Sequence, residues 1–170
     1  MKGNNIRVTT GRSGSHMDRE FIVKSGETFY PGMIVQEDRS VAEVEGVSTA
    51  KIFNADADGG RPKGAIYVVS EILQVEQGRG LDPTVSANGI AAGERCICHV
   101  PAAGEQFNVI YKNETGTADD VAAGDMLIND DTTGKVTLTT GSPETECWMA
   151  MEAIVDPTAD QLLWVQYTGY

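Results

Sequence analysis

From Glu20 onward the chain alternates short apolar or β-branched runs with clusters of turn residues. The runs are "EFIVK", "MIVQ", "VAEVE", "AIYVVSEILQV", "ERCICHV", "QFNVIYK", "MLIN", "KVTLTT", "CWMAMEAIV" and "QLLWVQYT". Between them lie "KSGE", "PG", "NADADGGRPKG", "SANG", "PAAGE", "NDDTTG" and "DPTAD". Runs of this length, bounded by Gly, Pro, Asn and Asp, predict strands of a sandwich or barrel. The best helical candidate is 65–77, but its β-branched content fits a long strand at least as well. In "LLWVQY", Leu162, Trp164 and Gln166 fall on one face and Leu163, Val165 and Tyr167 on the other. Apolar residues on both faces predict a strand covered on both sides, by the core and by a neighbouring subunit or, more simply, as a central strand.

One signature recurs: "AAGE" at Ala91, "AAGE" at Ala102 and "AAGD" at Ala122, each running into an apolar stretch. The glycine allows the positive φ of a tight turn, and the acid after it reads as a turn residue rather than a catalyst. A looser match joins "PGMIVQEDRSVAEV" to "AGDMLINDDTTGKV", pointing to two similar β units within one barrel. The expected fold is therefore all-β: a single small β-barrel over residues 20–170, preceded by an extended N-terminal arm over 1–19. The arm carries Lys2, Arg7, Arg12 and Arg19 against Asp18 alone.

Charge narrows the partners. With 25 acidic and 13 basic side chains the net charge is −12, a field that repels phosphate backbones and anionic lipid. Neither nucleic acid nor a membrane is an expected partner. No apolar run approaches the roughly 20 residues of a spanning helix, and the start lacks the apolar core of a secretory signal. A protein made and kept in a cytoplasm, or in something assembled there, is expected.

Candidate chemistry is sparse. Cys96, Cys98 and His99 sit within four residues, but alternation along a strand sends the two thiols to one face and the imidazole to the other. A zinc site would need ligands around a turn and a second pair elsewhere. The segment reads as a strand with sulfur facing the core. Asn54, Asp56, Asp58 and Gly59 match the start of a calcium loop, but Pro62 and Ala65 stand at its ninth and twelfth places, where a ligand and a bidentate Glu belong. An exposed loop is expected. "TTGKVT" at Thr132 lacks the first glycine and the hydroxyl residue of a phosphate loop and reads as a hairpin; "GRGLDP" at Gly78 reads as a loop. No nucleophile motif is present, and the expectation is a non-enzyme without metal or cofactor.

Taken in order, "AAGERCICHV", "AAGEQFNVIY", "AAGDMLI", "TGKVTL", "AMEAIVD" and "LLWVQY" resemble the head decoration, or cement, proteins of tailed bacteriophages, and "PGMIVQEDRSVAEVEGV" resembles the opening strands of that family. The similarity covers roughly Glu20 to Tyr167. It implies a β-tulip-like barrel that binds the outer surface of the assembled capsid and reinforces it against DNA pressure. The implied partners are the major capsid protein and neighbouring copies of the chain, as a trimer rather than a dimer, at local three-fold or two-fold positions of the virion. The capsid contact is assigned to the arm, at Asn5, Ile6, Arg7, Val8, Thr9, Arg12 and Arg19: its β-branched residues can add as a strand, and its arginines can pair with carboxylates on the shell. The alternative reading is a small β domain binding carbohydrate on the virion or cell surface.

Overall fold

A computed structural model describes residues 18–53, 65–70, 89–113, 120–130, 132–138, 146–157 and 159–169. All regular structure among them is strand. The first five strands are β1 (Asp18–Val23), β2 (Ile34–Glu37), β3 (Thr49–Ile52), β4 (Ile66–Val69) and β5 (Arg95–His99). They close into a barrel in the order β1-β3-β2-β4-β5. Five more follow: β6 (Gln106–Tyr111), β7 (Met126–Asn129), β8 (Val136–Leu138), β9 (Glu146–Ala150) and β10 (Gln161–Tyr167). They form a second sheet, β6-β8-β7-β9-β10, whose last strand returns to its first. The seam between β6 and β8 is one pair wide, Tyr111 with Val136.

The two sheets have one topology. β1 runs parallel to β3, as β6 does to β8, and every other pairing is antiparallel in both. Registers coincide as well. Phe21 faces Cys96 as Val109 faces Leu163; Val35 faces Tyr67 as Leu127 faces Trp148; Val69 faces Cys98 as Ala150 faces Val165. The repeat seen at "PGMIVQED" and "AGDMLIND" thus marks the second strand of each unit, and the expected single barrel is corrected to two five-stranded units. Ring diameter grows with strand number, so side chains can fill a five-stranded ring where a ten-stranded one would be too wide.

Alternation sorts the core. Phe21, Val23, Val35, Ala50, Cys96 and Cys98 fill the first barrel, joined by Phe29, Met33 and Ile90 from its turns. β4 is buried on both faces: Tyr67 and Val69 point into that barrel, whereas Ile66 and Val68 join the core of the second unit. Ile34 and Phe53 do the same, alongside Phe107, Val109, Leu127, Trp148, Leu163 and Val165. The units are therefore welded by apolar side chains from the outer wall of the first.

Two glycines allow the close approach. The Gly134 carbonyl accepts the Ile34 N–H at 2.6 Å, and a Cβ on Gly134 would lie 2.6 Å from the Ile34 carbonyl oxygen. The Gly32 carbonyl accepts the Ile110 N–H at 3.1 Å, and a Cβ on Gly32 would lie 3.2 Å from Leu162 Cδ2. Leu163, Val165 and Tyr167 of β10 face the core, while the opposite face is half-buried. There Leu162 meets the first barrel of the same chain.

Three expected strands differ, the first being "CWMAMEAIV", which is strand only as far as Ala150 and returns to pairing at a single bridge between Ile154 and Val121. "VAEVE" is the arm of a hairpin, not a strand: Val44 and Val47 bridge across Glu45 and Gly46, both at positive φ. That geometry is the two-residue turn whose twist matches flanking strands, and it leaves Val41 and Val44 exposed. The long run from Ala65 yields strand only over Ile66–Val69, with 71–88 outside the described residues.

Candidate functional site

The three Ala-Ala-Gly-acid signatures build one device. In each, the backbone turns from the first alanine carbonyl to the acid N–H, at 3.1, 3.0 and 3.1 Å, over a glycine at positive φ. The acid then reaches back to accept the N–H of that first alanine: Ala91 to Glu94 at 2.9 Å, Ala102 to Glu105 at 2.8 Å, Ala122 to Asp125 at 2.7 Å. These carboxylates satisfy a turn N–H, which agrees with a turn role.

A second repeated device ties β1 to the β2 turn and β6 to the β7 turn. Lys24, just after β1, pairs with Asp38 at 2.8 Å; Lys112, just after β6, pairs with Asp130 at 2.6 Å. Asp38 also accepts the Ser40 N–H and hydroxyl, and Asp130 accepts from Thr132 and Thr133. Lys24 and then Ser40 hold the Asp38 carboxyl well below the usual carboxylate range. Burial pushes the Asp130 carboxyl up, but Lys112, Thr133 and Thr132 outweigh it and hold it at about 2.

Cys96 and Cys98 point into the first barrel, wholly buried and free, with their sulfurs 3.9 Å apart. Burial pushes the Cys98 thiol up, and its hydrogen bond with Cys96 adds to this. His99 faces the other way, with Nδ1 against the Asp18 carboxylate and its ring 6.4 Å from that of Phe107 in the second unit. The strand therefore splits sulfur from imidazole, as its alternation predicts. Among the described residues no three His, Cys, Asp or Glu side chains converge as metal ligands.

The first barrel carries a group of polar contacts around Arg19 and Arg95. Arg19 meets Glu37 at 3.1 Å, the Tyr67 hydroxyl at 3.1 Å and Ser48 at 3.3 Å, while its guanidinium lies over the Phe21 ring. Arg95 bridges Glu20 at 3.3 Å and Glu45 at 3.1 Å. Beside them the hairpin lifts Val41 and Val44 into solvent.

Of the residues assigned to capsid contact, only Arg19 lies among those described, and it is held by its own barrel. β1 begins at Asp18, inside the stretch read as arm. Asn5, Ile6, Arg7, Val8, Thr9 and Arg12 lie outside the described residues, as do the calcium-like loop at Asn54, Asp56, Asp58 and Gly59 and the loop at Gly78. "TTGKVT" is the β7–β8 hairpin, as expected. The exposed valines were missed because "VAEVE" alternates like a strand; the Glu-Gly pair between Val44 and Val47 was the available signal. Compared with known proteins, the chain matches no family model and no curated protein.

Proposed function

We propose that this chain is a structural virion protein that binds the outer surface of a tailed-phage head and cements it. One observation carries the reading: the ordered series of glycine turns running into strands, which resembles that of head decoration proteins and leads into β5, β6, β7 and β8. An acidic body suits the outside of a shell whose DNA lies within. Affinity would come from many weak contacts repeated over a symmetric lattice, so no deep pocket is required. The partner is the major capsid protein, with the basic arm as the first candidate contact.

The test is electron microscopy of expanded heads mixed with purified protein. Regular decoration of the outer surface is expected, and bare heads at saturating protein would refute the reading. A chain lacking residues 1–17 should keep the melting temperature of the full chain but bind heads more weakly, the arginine share of the loss shrinking at high salt. The truncation stops before Asp18 because β1 starts there.

A further inference from the structure

The two rings share a topology but close differently at the parallel seam. In the first barrel the seam is its own: the Ile22 N–H donates to the Ser48 carbonyl and the Lys24 N–H to the Ala50 carbonyl, each at 3.0 Å. In the second unit Ile110 stands for Ile22, Lys112 for Lys24, Val136 for Ala50 and Gly134 for Ser48. The Lys112 bond to Val136 is kept, at 2.9 Å. Its companion is exchanged. The Ile110 N–H donates to the Gly32 carbonyl at 3.1 Å, and the Gly134 carbonyl accepts the Ile34 N–H at 2.6 Å. Residues 32–34 of the first unit thus take both groups whose counterparts, on Ile22 and Ser48, bond to each other.

The sequence accounts for the exchange. The turn from Asp130 to Lys135 is much shorter than the connection from Asp38 to Thr49, so the residue before β8 still belongs to the turn. Gly134 there has φ +66, a left-handed conformation outside any strand ladder, whereas Ser48 has no positive φ. The cores repeat the asymmetry. Among the described residues, every buried member of the first core comes from the first unit, and from the second unit only the half-buried Ile110 packs against it. The core of the second unit, in contrast, includes Ile34, Phe53, Ile66 and Val68 of the first. The first ring is therefore complete in seam and core, and the second is complete in neither.

We propose that the first unit is a built-in template on which the second closes. The first ring forms in the rate-limiting step of folding; residues 32–34 and the outer wall of β2 and β4 then supply the hydrogen bonds and core side chains that β6–β10 lack. The direction is set by the backbone. A second unit closing first would leave the Ile110 N–H and the Gly134 carbonyl without protein partners, whereas the first ring closes with its own seam already paired. The same order matches synthesis, in which the N-terminal unit emerges first. Ile34 and Val68 are covered only in the second step, so the finished chain is one cooperative body although its assembly has a direction. The proposal concerns how the fold is reached and does not rest on capsid binding.

The test is stopped-flow folding and unfolding of the full chain, followed by tryptophan fluorescence. Trp148 and Trp164 both lie in the second unit, so the signal reports its closing. Phe21→Ala, in the first core, should slow the appearance of that signal about tenfold or more while changing the unfolding rate less than about threefold. Leu163→Ala, in the second core, should do the reverse. Val68→Ala, on the wall between the units, should behave as Leu163→Ala does, because that wall is covered late. Should Phe21→Ala or Leu163→Ala fail to fold, Val23→Ala or Val165→Ala replaces it in the same core, with about threefold or more as the expected change. Refolding untouched by the first-core substitution, or slowed as much by the second-core or Val68 substitution, would overturn the proposal.

Discussion

Cys96 and Cys98 occupy the positions that Leu163 and Val165 hold in the second unit, so the protein itself shows what these sites require: apolar volume. Replacing both with valine should therefore change stability by less than about 1.5 kcal/mol, as volume-conserving swaps do. In the native protein none of the three thiols should react with a thiol reagent until the chain unfolds, since all are buried. Rapid native labelling would contradict this. Asp130 makes a pH prediction. Its folded pKa of about 2 lies below the ordinary 3.8, so the Lys112 pair stabilises the fold above the ordinary value and is lost as pH falls from 3.8 towards 2. Asp38 behaves alike, with its loss extending to lower pH. The stability gap between wild type and Asp130→Asn, read from denaturant midpoints, should be full at neutral pH and close across that window. A gap that persists at pH about 2 would mean the carboxylate acts otherwise than through its charge.

The elements were legible where alternation and turn chemistry agreed. "QFNVIY" and "LLWVQY" became β6 and β10 because alternate residues meet one core, and the glycine turns ahead of β5, β6 and β7 were marked by three like signatures. Division into two units was not legible. It depends on the parallel β1–β3 and β6–β8 closures, which leave no local mark, and the repeat in sequence could equally have served one ring. Arg19 was misplaced for a related reason: its partners Glu37, Ser48 and Tyr67 are distant in sequence, so composition alone put it in the arm. The weld between units is equally invisible locally, and Gly134 tests it. Gly93→Ala should cost only left-handed strain, about 1–2 kcal/mol, because nothing lies within 4 Å of its Cβ position. Gly134→Ala adds a collision with the Ile34 backbone oxygen and should cost about 1–3 kcal/mol more. Equal losses for the two in urea unfolding would show that the units are not pressed together there.

At the scale of the molecule, Ile34, Phe53, Ile66 and Val68 belong to the first barrel by strand and to the second by packing. Burying four such side chains is worth about 6–12 kcal/mol at about 1.5–3 each, which is comparable with the whole stability of an ordinary domain, about 5–15 kcal/mol. Neither unit should then survive the other's unfolding, and the chain should melt as one cooperative transition. Its two tryptophans make this measurable, because Trp148 and Trp164 both lie in the second unit. Phe21 lies in the first, wholly buried and edge-on to Tyr67 at 4.8 Å. Phe21→Ala should destabilise by about 3–5 kcal/mol. If the units are one cooperative body, tryptophan fluorescence from the second must shift to lower denaturant by the same amount as far-ultraviolet circular dichroism of the whole chain. A fluorescence transition that stays at the wild-type midpoint while the dichroism splits in two would show two independent barrels joined by a contact too weak to couple them.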